Sequence, residues 1–89
     1  MDVSDATVLI VEDEPDLLEI YEAWAERKCA KVLTAPNGLV ALGLLAENSI
    51  DVMISDVRMP VMDGLTLVRT VRQREKPIPS IILFPVSLT

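Results

Sequence analysis

Two short apolar runs that each end in acidic residues constrain the fold of this chain most. Residues 8–11 (VLIV) lead directly into Glu12 and Asp13, and residues 52–55 (VMIS) lead into Asp56. A run of this length without polar alternation is typical of a strand covered on both faces, as in the centre of a parallel sheet. Because neighbouring parallel strands end at one edge, we expect Glu12, Asp13 and Asp56 to converge where open α/β sheets bind their ligands.

Carboxylates crowded at such an edge predict a site for a divalent cation. Several negative charges at short range repel one another unless a positive charge lies among them. Mg²⁺ prefers oxygen ligands and is held in proteins by a few carboxylates together with several waters. A carboxylate beside bound Mg²⁺ or Mn²⁺ can receive a phosphoryl group, so the pattern favours a phosphoacceptor site. The alternative interpretation is an ordinary solvated turn rich in Glu and Asp.

The rest of the chain alternates short strands with helices. The predicted strands cover residues 7–11, 31–34, 50–55 and 80–84. The predicted helices cover residues 15 to about 28, residues 39–47, and a stretch from a cap at Asp63 to about Arg74. This alternation favours parallel strands joined by right-handed helical crossovers, so we predict an α/β fold with a doubly wound sheet.

Two of the helices are expected to bury a stripe of apolar side chains at the spacing i, i+3, i+4. The predicted stripe of the first helix is Leu17, Ile20, Tyr21, Trp24 and Lys28. The predicted apolar face of the third helix is Leu65, Leu67, Val68 and Val71. The second helix is apolar almost all round, so it is expected either to pack on the sheet or to form a dimer surface. Asn37 and Asp63 are the predicted N-caps of the second and third helices.

The composition of the 89 residues excludes several kinds of function. There is no histidine, which removes histidine metal sites, Ser-His and Cys-His nucleophiles, and a phosphohistidine donor. A net charge of −6 argues against nucleic-acid binding by this segment. No apolar stretch reaches the ~20 residues that cross a membrane, and the N-terminus lacks the parts of a signal peptide. The single cysteine, Cys29, cannot form an internal disulfide, so we expect a cytoplasmic location.

Three segments together resemble the receiver domain of response regulators in two-component signalling: VLIVEDEP, APNGLVAL and DVMISDVRMPVMDG. The last is the most specific, because an Asp ends a buried strand, Met-Pro follows three residues later, and Asp-Gly comes after that. The resemblance implies a flavodoxin-like, doubly wound parallel sheet with strand order 2-1-3-4. It also implies that residues 1–89 form a single receiver domain that lacks the final helix-strand-helix of the family.

The resemblance further implies roles for individual residues. Asp56 matches the phosphoacceptor, and the implied metal ligands are Glu12, Asp13, Asp56 and the backbone carbonyl of Arg58. The loop that closes the site is implied to contain Met59, Pro60, Asp63 and Gly64. The implied cofactor is Mg²⁺ or Mn²⁺, and the implied partner is a histidine kinase or a histidine phosphotransfer protein. Such a chain is a signalling module rather than an enzyme, with no membrane or nucleic-acid partner through this segment.

The chain departs from the family at the end of its fourth strand. Where the family carries a Thr or Ser whose hydroxyl contacts the phosphate, this chain has Phe84, and the hydroxyls of Ser87 and Thr89 follow a few residues later. The Lys that the family carries after its fifth strand has no counterpart before the sequence ends. Without the final helix-strand-helix, the fourth strand becomes an apolar edge, so we expect a homo-oligomer.

Two other functions compete with the phosphoacceptor hypothesis. One is a truncated receiver that acts as an interaction or dimerisation module without a phosphorylation switch. The other is an aspartate-nucleophile phosphatase of similar fold. Such a phosphatase typically carries a second catalytic Asp two residues after its nucleophile, where this chain has Arg58. That difference disfavours the phosphatase.

Overall fold

The computed structural model describes residues 3–59, 61–74, 78 and 80–84. The described chain forms four strands: β1 (Thr7–Val11), β2 (Lys31–Ala35), β3 (Val52–Asp56) and β4 (Ser80–Phe84). Between them lie three helices, α1 (Pro15–Glu26), α2 (Gly38–Glu47) and α3 (Gly64–Arg72), and a 3₁₀ turn (Val3–Asp5) precedes β1. The predicted alternation of strands and helices is confirmed, and the ends of the elements differ from the prediction by at most two residues.

Local backbone chemistry explains where α1 starts and where it ends. Pro15 opens the helix at a position where a missing backbone N–H costs nothing. At the other end, the backbone N–H groups of Lys28 and Cys29 both donate to the carbonyl oxygen of Ala25, at 3.0 and 2.9 Å. The chain therefore turns out of the helix two residues before the predicted end.

All four strands are parallel, and their order is β2-β1-β3-β4. This confirms the predicted order 2-1-3-4. In the register of the two central strands, Ile10 lies beside Ile54. At the end of the next pair, Asp56 lies beside Phe84. Because β1 and β3 occupy the centre and are covered on both faces, their sequences are continuous apolar runs.

Alternate side chains of β1 enter two separate cores. Leu9 and Val11 belong to the larger core, which contains buried residues of α2 and α3. Val8 and Ile10 belong to the smaller core on the opposite face, against α1. The sheet is therefore covered by α1 on one face and by α2 and α3 on the other, as expected for a doubly wound fold.

The predicted apolar stripe of α1 is partly wrong. Ile20 and Trp24 are exposed, Trp24 at 53%, and the residues of α1 that pack on the sheet core are Leu18, Tyr21 and Ala25. The helix carries apolar side chains on more than one stripe, so periodicity alone did not identify the packed one. Lys28 lies beyond α1 with its ammonium nitrogen 5.6 Å from the centre of the Trp24 ring. In α3, Leu67 and Val71 are buried as predicted, whereas Leu65 is exposed.

Both predicted helix caps are confirmed. Asn37 Oδ1 accepts a hydrogen bond from the backbone N–H of Val40 at 2.9 Å, and Asp63 Oδ1 accepts one from Thr66 at 2.7 Å. Each side chain thereby satisfies one of the free N–H groups at the start of its helix. None of the helices in the described part of the chain is long and apolar enough to span a bilayer.

Candidate functional site

The candidate site lies at the carboxyl edge of the two central strands. Ile10 and Ile54 both face α1, and side chains two residues further along a strand lie on the same side. Glu12, which follows β1, and Asp56, which ends β3, therefore emerge on the α1 side of this edge. The backbone N–H of Glu12 donates to the carbonyl oxygen of Ala35 at 3.0 Å, which continues the pairing of β1 with β2 by one residue.

Three carboxylates meet at this edge. One oxygen atom from each of Glu12, Asp13 and Asp56 lies within 4.8 Å of the other two. Glu12 and Asp56 are buried, with exposed fractions of 1% and 3%, whereas Asp13 is exposed to solvent. The structure thus brings together the three carboxylates that the sequence predicts at one edge of the sheet.

The carboxylates of this cluster have few hydrogen-bond donors. Glu12 Oε2 accepts from the backbone N–H of Glu14 at 3.1 Å, and Asp56 Oδ1 accepts from the backbone N–H of Arg58 at 3.1 Å. Glu12 Oε1 is buried and has no hydrogen-bond partner. Within the described residues, no Lys or Arg forms an ion pair with the cluster. A buried carboxylate oxygen in this state is costly unless a proton or a cation occupies the space beside it.

The electrostatics of Glu12 reflect that cost. Burial raises the pKa of Glu12 from 4.5 to about 7. The hydrogen bond from the Glu14 backbone opposes this rise in the pKa, and the side chains of Asp13 and Asp56 add to it. The cluster therefore favours a positive species among its oxygens.

The donor set fits a hard divalent cation. All three side chains offer carboxylate oxygens, which Mg²⁺ and Mn²⁺ prefer, and no sulfur or imidazole ligand is involved. The unpartnered Oε1 of Glu12 is a free ligand atom, and the exposed position of Asp13 leaves room for the waters that Mg²⁺ retains. Glu12, Asp13 and Asp56 are thus the residues that would hold the ion.

The segment from β3 to α3 contains the other residues predicted for the site. Met59 is buried in the core beneath α2 and α3, and Pro60 lies outside the described residues. Asp63 is not a member of the carboxylate cluster. It caps α3, and the backbone N–H of Thr66 lowers the pKa of its carboxyl group. The role of the Arg58 carbonyl as a metal ligand stays a prediction.

Gly64 brings the start of α3 against the end of β3. Its backbone N–H donates to the carbonyl oxygen of Val57 at 2.9 Å. A Cβ atom at this position would lie 2.9 Å from the Cα of Val57 and would approach the carbonyl oxygen of Asp56 more closely still. Glycine is therefore required by the close approach of two backbones. In the same loop, Val61 has a φ of 72°, a strained conformation for a β-branched residue.

Tyr21 is a neighbour of the site that sequence reasoning missed. Its ring packs edge-on against Phe84, with the ring centres 5.4 Å apart and the planes at 79°. Burial, followed by the negative charges of Glu12 and Asp56, raises the pKa of the Tyr21 phenol. The only sequence signal was a phenol on the apolar stripe of α1, because a buried tyrosine usually brings its hydroxyl to a polar partner.

Comparison with known proteins identifies the family. Residues 8–85 match the sequence model of the response regulator receiver domain. The chain belongs to this family. The receiver is 37% identical over 76 residues to the response regulator SaeR of Staphylococcus aureus, an alignment that covers 85% of this chain and 33% of SaeR. The receiver chain thus spans about a third of the length of this curated relative.

Solved receiver structures agree with the fold. The chemotaxis response regulator CheY4 of Vibrio cholerae superimposes with a TM-score of 0.81 at 30% identity, covering 96% of this chain and 72% of that one. The response regulator TrrA of Thermotoga maritima, solved in complex with Mg²⁺-BeF, gives a TM-score of 0.78 at 30% identity, with coverage of 93% and 71%. The receiver therefore has the flavodoxin-like α/β fold. Receiver domains are signalling modules that interact with histidine kinases or phosphotransfer proteins.

Proposed function

We propose that Asp56 accepts a phosphoryl group from a phosphohistidine in a reaction that depends on Mg²⁺. The observation that carries the proposal is the meeting of Asp56 with Glu12 and Asp13, with one buried Glu12 oxygen left unpartnered. The donor is a histidine kinase or a histidine phosphotransfer protein, in keeping with the family. Residues 1–89 contain no histidine, so the donor imidazole lies outside them.

The transfer is a direct displacement at the phosphorus atom. A carboxylate oxygen of Asp56 attacks the phosphorus atom, and a P–O bond forms as the P–N bond to the donor imidazole breaks. The electron pair of the broken bond stays on the imidazole nitrogen, and the product is an aspartyl phosphate. Phosphoryl transfer passes through a loose and highly charged transition state, so positioning and charge neutralisation supply most of the catalysis.

Individual residues of this chain supply this positioning and charge neutralisation. The backbone N–H of Arg58 holds Asp56 Oδ1, which orients the attacking carboxylate. Glu12 and Asp13 would hold Mg²⁺ or Mn²⁺ together with Asp56. When bound, the ion neutralises the repulsion between the carboxylate nucleophile and the phosphoryl oxygens. The chain promotes its own modification, and the product serves as a signal.

Phosphorylation by a small donor tests this proposal. We expect incubation with acetyl phosphate and Mg²⁺ to add one phosphate, detected by intact-protein mass spectrometry and assigned to Asp56 by peptide mapping. Chelation of Mg²⁺ and the substitution Asp56→Ala should each remove it. Asp51→Asn is the matched control, because Asp51 precedes β3 at the opposite edge of the sheet and accepts a hydrogen bond from Thr7. Phosphate that persists on Asp56→Ala would contradict the assignment.

We further propose that the receiver associates with a second copy of itself beside β4. Among the described strands, β4 lies at one end of the sheet and pairs only with β3. Ile82 of β4 and Ile20 and Trp24 of α1 are exposed and line one apolar groove. The groove lining carries no formal charge, so a second copy bound there would desolvate no ionised side chain of the lining. Open edges and contiguous apolar patches are typical sites of association.

A further inference from the structure

The α1 side of the acceptor site is bounded by an aromatic pair. Phe84 ends β4 directly beside Asp56 in the register of the sheet, and its backbone carbonyl accepts a hydrogen bond from Val57 at 3.1 Å. Tyr21 packs edge-on against the Phe84 ring. Since paired residues of adjacent strands project from the same face, the Phe84 ring stands next to the Asp56 carboxylate on the α1 side. A phosphoryl group on Asp56 thus has an apolar neighbour on this side.

Few polar atoms are available there to bind phosphoryl oxygens. The groove below the pair is lined by Ile10, Ile20, Tyr21, Trp24, Ile54, Ile82 and Phe84. Only Tyr21 and Trp24 among these carry a polar side-chain atom. Trp24 is 53% exposed and is engaged by Lys28, away from the carboxylate edge. The Tyr21 hydroxyl is therefore the remaining donor on this side among the described lining residues.

The Tyr21 hydroxyl lies within the electrostatic field of the site. The charges of Glu12 and Asp56 both raise the pKa of the phenol, after the contribution of burial. Helical side chains lean towards the N-terminal end of their helix. Since α1 starts at Pro15, just after Glu12 and Asp13, the Tyr21 side chain leans towards the carboxylate edge while its ring contacts Phe84. The hydroxyl forms no hydrogen bond with the described part of the chain. It is a protonated donor without a partner near a site that develops negative charge.

We propose that the Tyr21 hydroxyl donates a hydrogen bond to the phosphoryl group on Asp56, on the side where Phe84 offers only an apolar ring. This inference rests on the proposed function of Asp56. A phosphoryl group carries several strong acceptor oxygens, and burying one against an apolar wall without a donor is unfavourable. A phenol that stays protonated at neutral pH can supply that donor. Tyr21 thereby becomes a residue that contacts the reacting group, contributed by α1.

The substitution Tyr21→Phe tests the proposal because it removes the hydroxyl and keeps the ring that packs on Phe84. With acetyl phosphate and Mg²⁺, we expect the rate of Asp56 phosphorylation to fall about tenfold, the effect of one hydrogen bond to a charged group. In the Tyr21→Phe background, Phe84→Thr should restore much of the rate by returning a hydroxyl from the strand side. Thr70→Val is the control, because it removes a hydroxyl from α3 on the opposite face of the sheet, and it should react like the parent chain.

A second measurement uses the parent chain and needs no variant of Tyr21. The chain has one tyrosine, so ultraviolet absorption of the tyrosinate reports on that phenol alone. Beryllofluoride with Mg²⁺ mimics a phosphoryl group on a carboxylate. We expect its binding to shift the titration of the Tyr21 phenol to higher pH and to perturb its near-ultraviolet spectrum. Neither change should occur in Asp56→Ala.

The outcomes separate this inference from the function on which it rests. If the parent chain is phosphorylated on Asp56 and Tyr21→Phe reacts at the same rate, the role of Tyr21 is overturned and the proposed function stands. A phenol spectrum that beryllofluoride leaves unchanged in the parent chain leads to the same conclusion. If the parent chain takes up no phosphate, both proposals fail together. Circular dichroism of each variant excludes loss of the fold as the cause of a slower reaction.

Discussion

At the scale of single residues, Glu12 combines nearly complete burial with a carboxylate oxygen that has no hydrogen-bond partner. A side chain in this environment destabilises the folded state when it is ionised and stops doing so when it binds a proton. Asp13 and Asp56 lie close enough to increase the effect. The same oxygens that suit a cation therefore lower the stability of the metal-free chain at neutral pH.

The raised pKa of Glu12 predicts how the stability of the metal-free chain depends on pH. Between pH 4.5 and about 7, folded Glu12 retains a proton that the unfolded chain has lost. The free energy of unfolding should therefore fall as pH rises through this window, by up to about 3 kcal/mol from this group. Urea unfolding at pH 5 and pH 7.5 in EDTA measures the change. Glu12→Gln, which cannot ionise, should flatten the dependence, and an identical pH slope in both proteins would contradict the assignment.

At the scale of elements, the connection from β3 to α3 combines a close backbone approach with a strained residue. Gly64 allows α3 to start against the end of β3, and Asp63 caps the helix one residue earlier. Val61 adopts a positive φ in the same stretch. The geometry of this loop thus determines where α3 begins relative to the carboxylate edge.

The glycines that open α2 and α3, Gly38 and Gly64, predict different costs for adding a methyl group. In Gly64→Ala the new Cβ would meet the backbone of Asp56 and Val57, which cannot move without displacing β3. In Gly38→Ala it would meet the sulfur of Met62 at 2.8 Å and the Cβ of Met62 at 2.9 Å, so the loop that carries Met62 would have to shift, but no strand would. We expect Gly64→Ala to lower the free energy of unfolding by about 2 kcal/mol or more, and Gly38→Ala by less. Urea denaturation of both proteins tests the order, and equal losses would argue against the close approach.

The positive φ of Val61 predicts a stabilising substitution. The side chain is 71% exposed, so its removal sacrifices little packing. A strained backbone of this kind costs about 1–3 kcal/mol, whereas glycine adopts it freely at a smaller entropic cost. Val61→Gly should therefore raise the free energy of unfolding by about 1 kcal/mol. Val61→Ala, which keeps a Cβ in the same backbone conformation, is the control and should gain less. A loss of stability in Val61→Gly would show that the left-handed conformation is not maintained in solution.

At the scale of the whole molecule, the fold and the carboxylate edge were largely predictable because they depend on local patterns. The two apolar runs with acidic ends located β1, β3 and three carboxylates, and the motif of residues 51–64 supplied the family and hence the strand order. The residues that cap the helices were also identifiable, since Asn37 and Asp63 act within three residues of themselves. These features need no knowledge of how distant elements are rotated.

The features that sequence reasoning missed depend on the rotation of α1. The sequence of α1 has apolar residues on two stripes, one with Ile20 and Trp24 and the other with Leu18 and Ala25. The rotation of the helix determines which of the two stripes packs on the sheet. The contact between Tyr21 and Phe84 joins residues from α1 and β4, elements separated by most of the chain. The pKa of Glu12 likewise depends on burial and charges from two strands. Periodicity within one element contains none of this information.

The groove beside β4 predicts that association depends on its apolar side chains. Analytical ultracentrifugation at micromolar concentration should detect a dimer or a larger assembly of the receiver. Ile82→Lys places a charge in the groove and should shift the distribution towards monomer. Leu65→Lys is the matched control, because Leu65 is also exposed but belongs to α3, on the opposite face of the sheet. A parent chain that sediments as a monomer would exclude this interface.

The pairing of β1 with β3 also has a consequence for the kinetics of folding. Thr7 and Asp51, whose contact marks the start of this pairing, are 44 residues apart in the chain. Closing so long a segment comes before any favourable contact between the two strands, which makes parallel pairing slow. The carboxylate edge exists only after this closure, so a ligand of that edge has nothing to bind in the unfolded chain or in an early intermediate. Such a ligand is therefore expected to lower the rate of unfolding and to leave the rate of folding nearly unchanged.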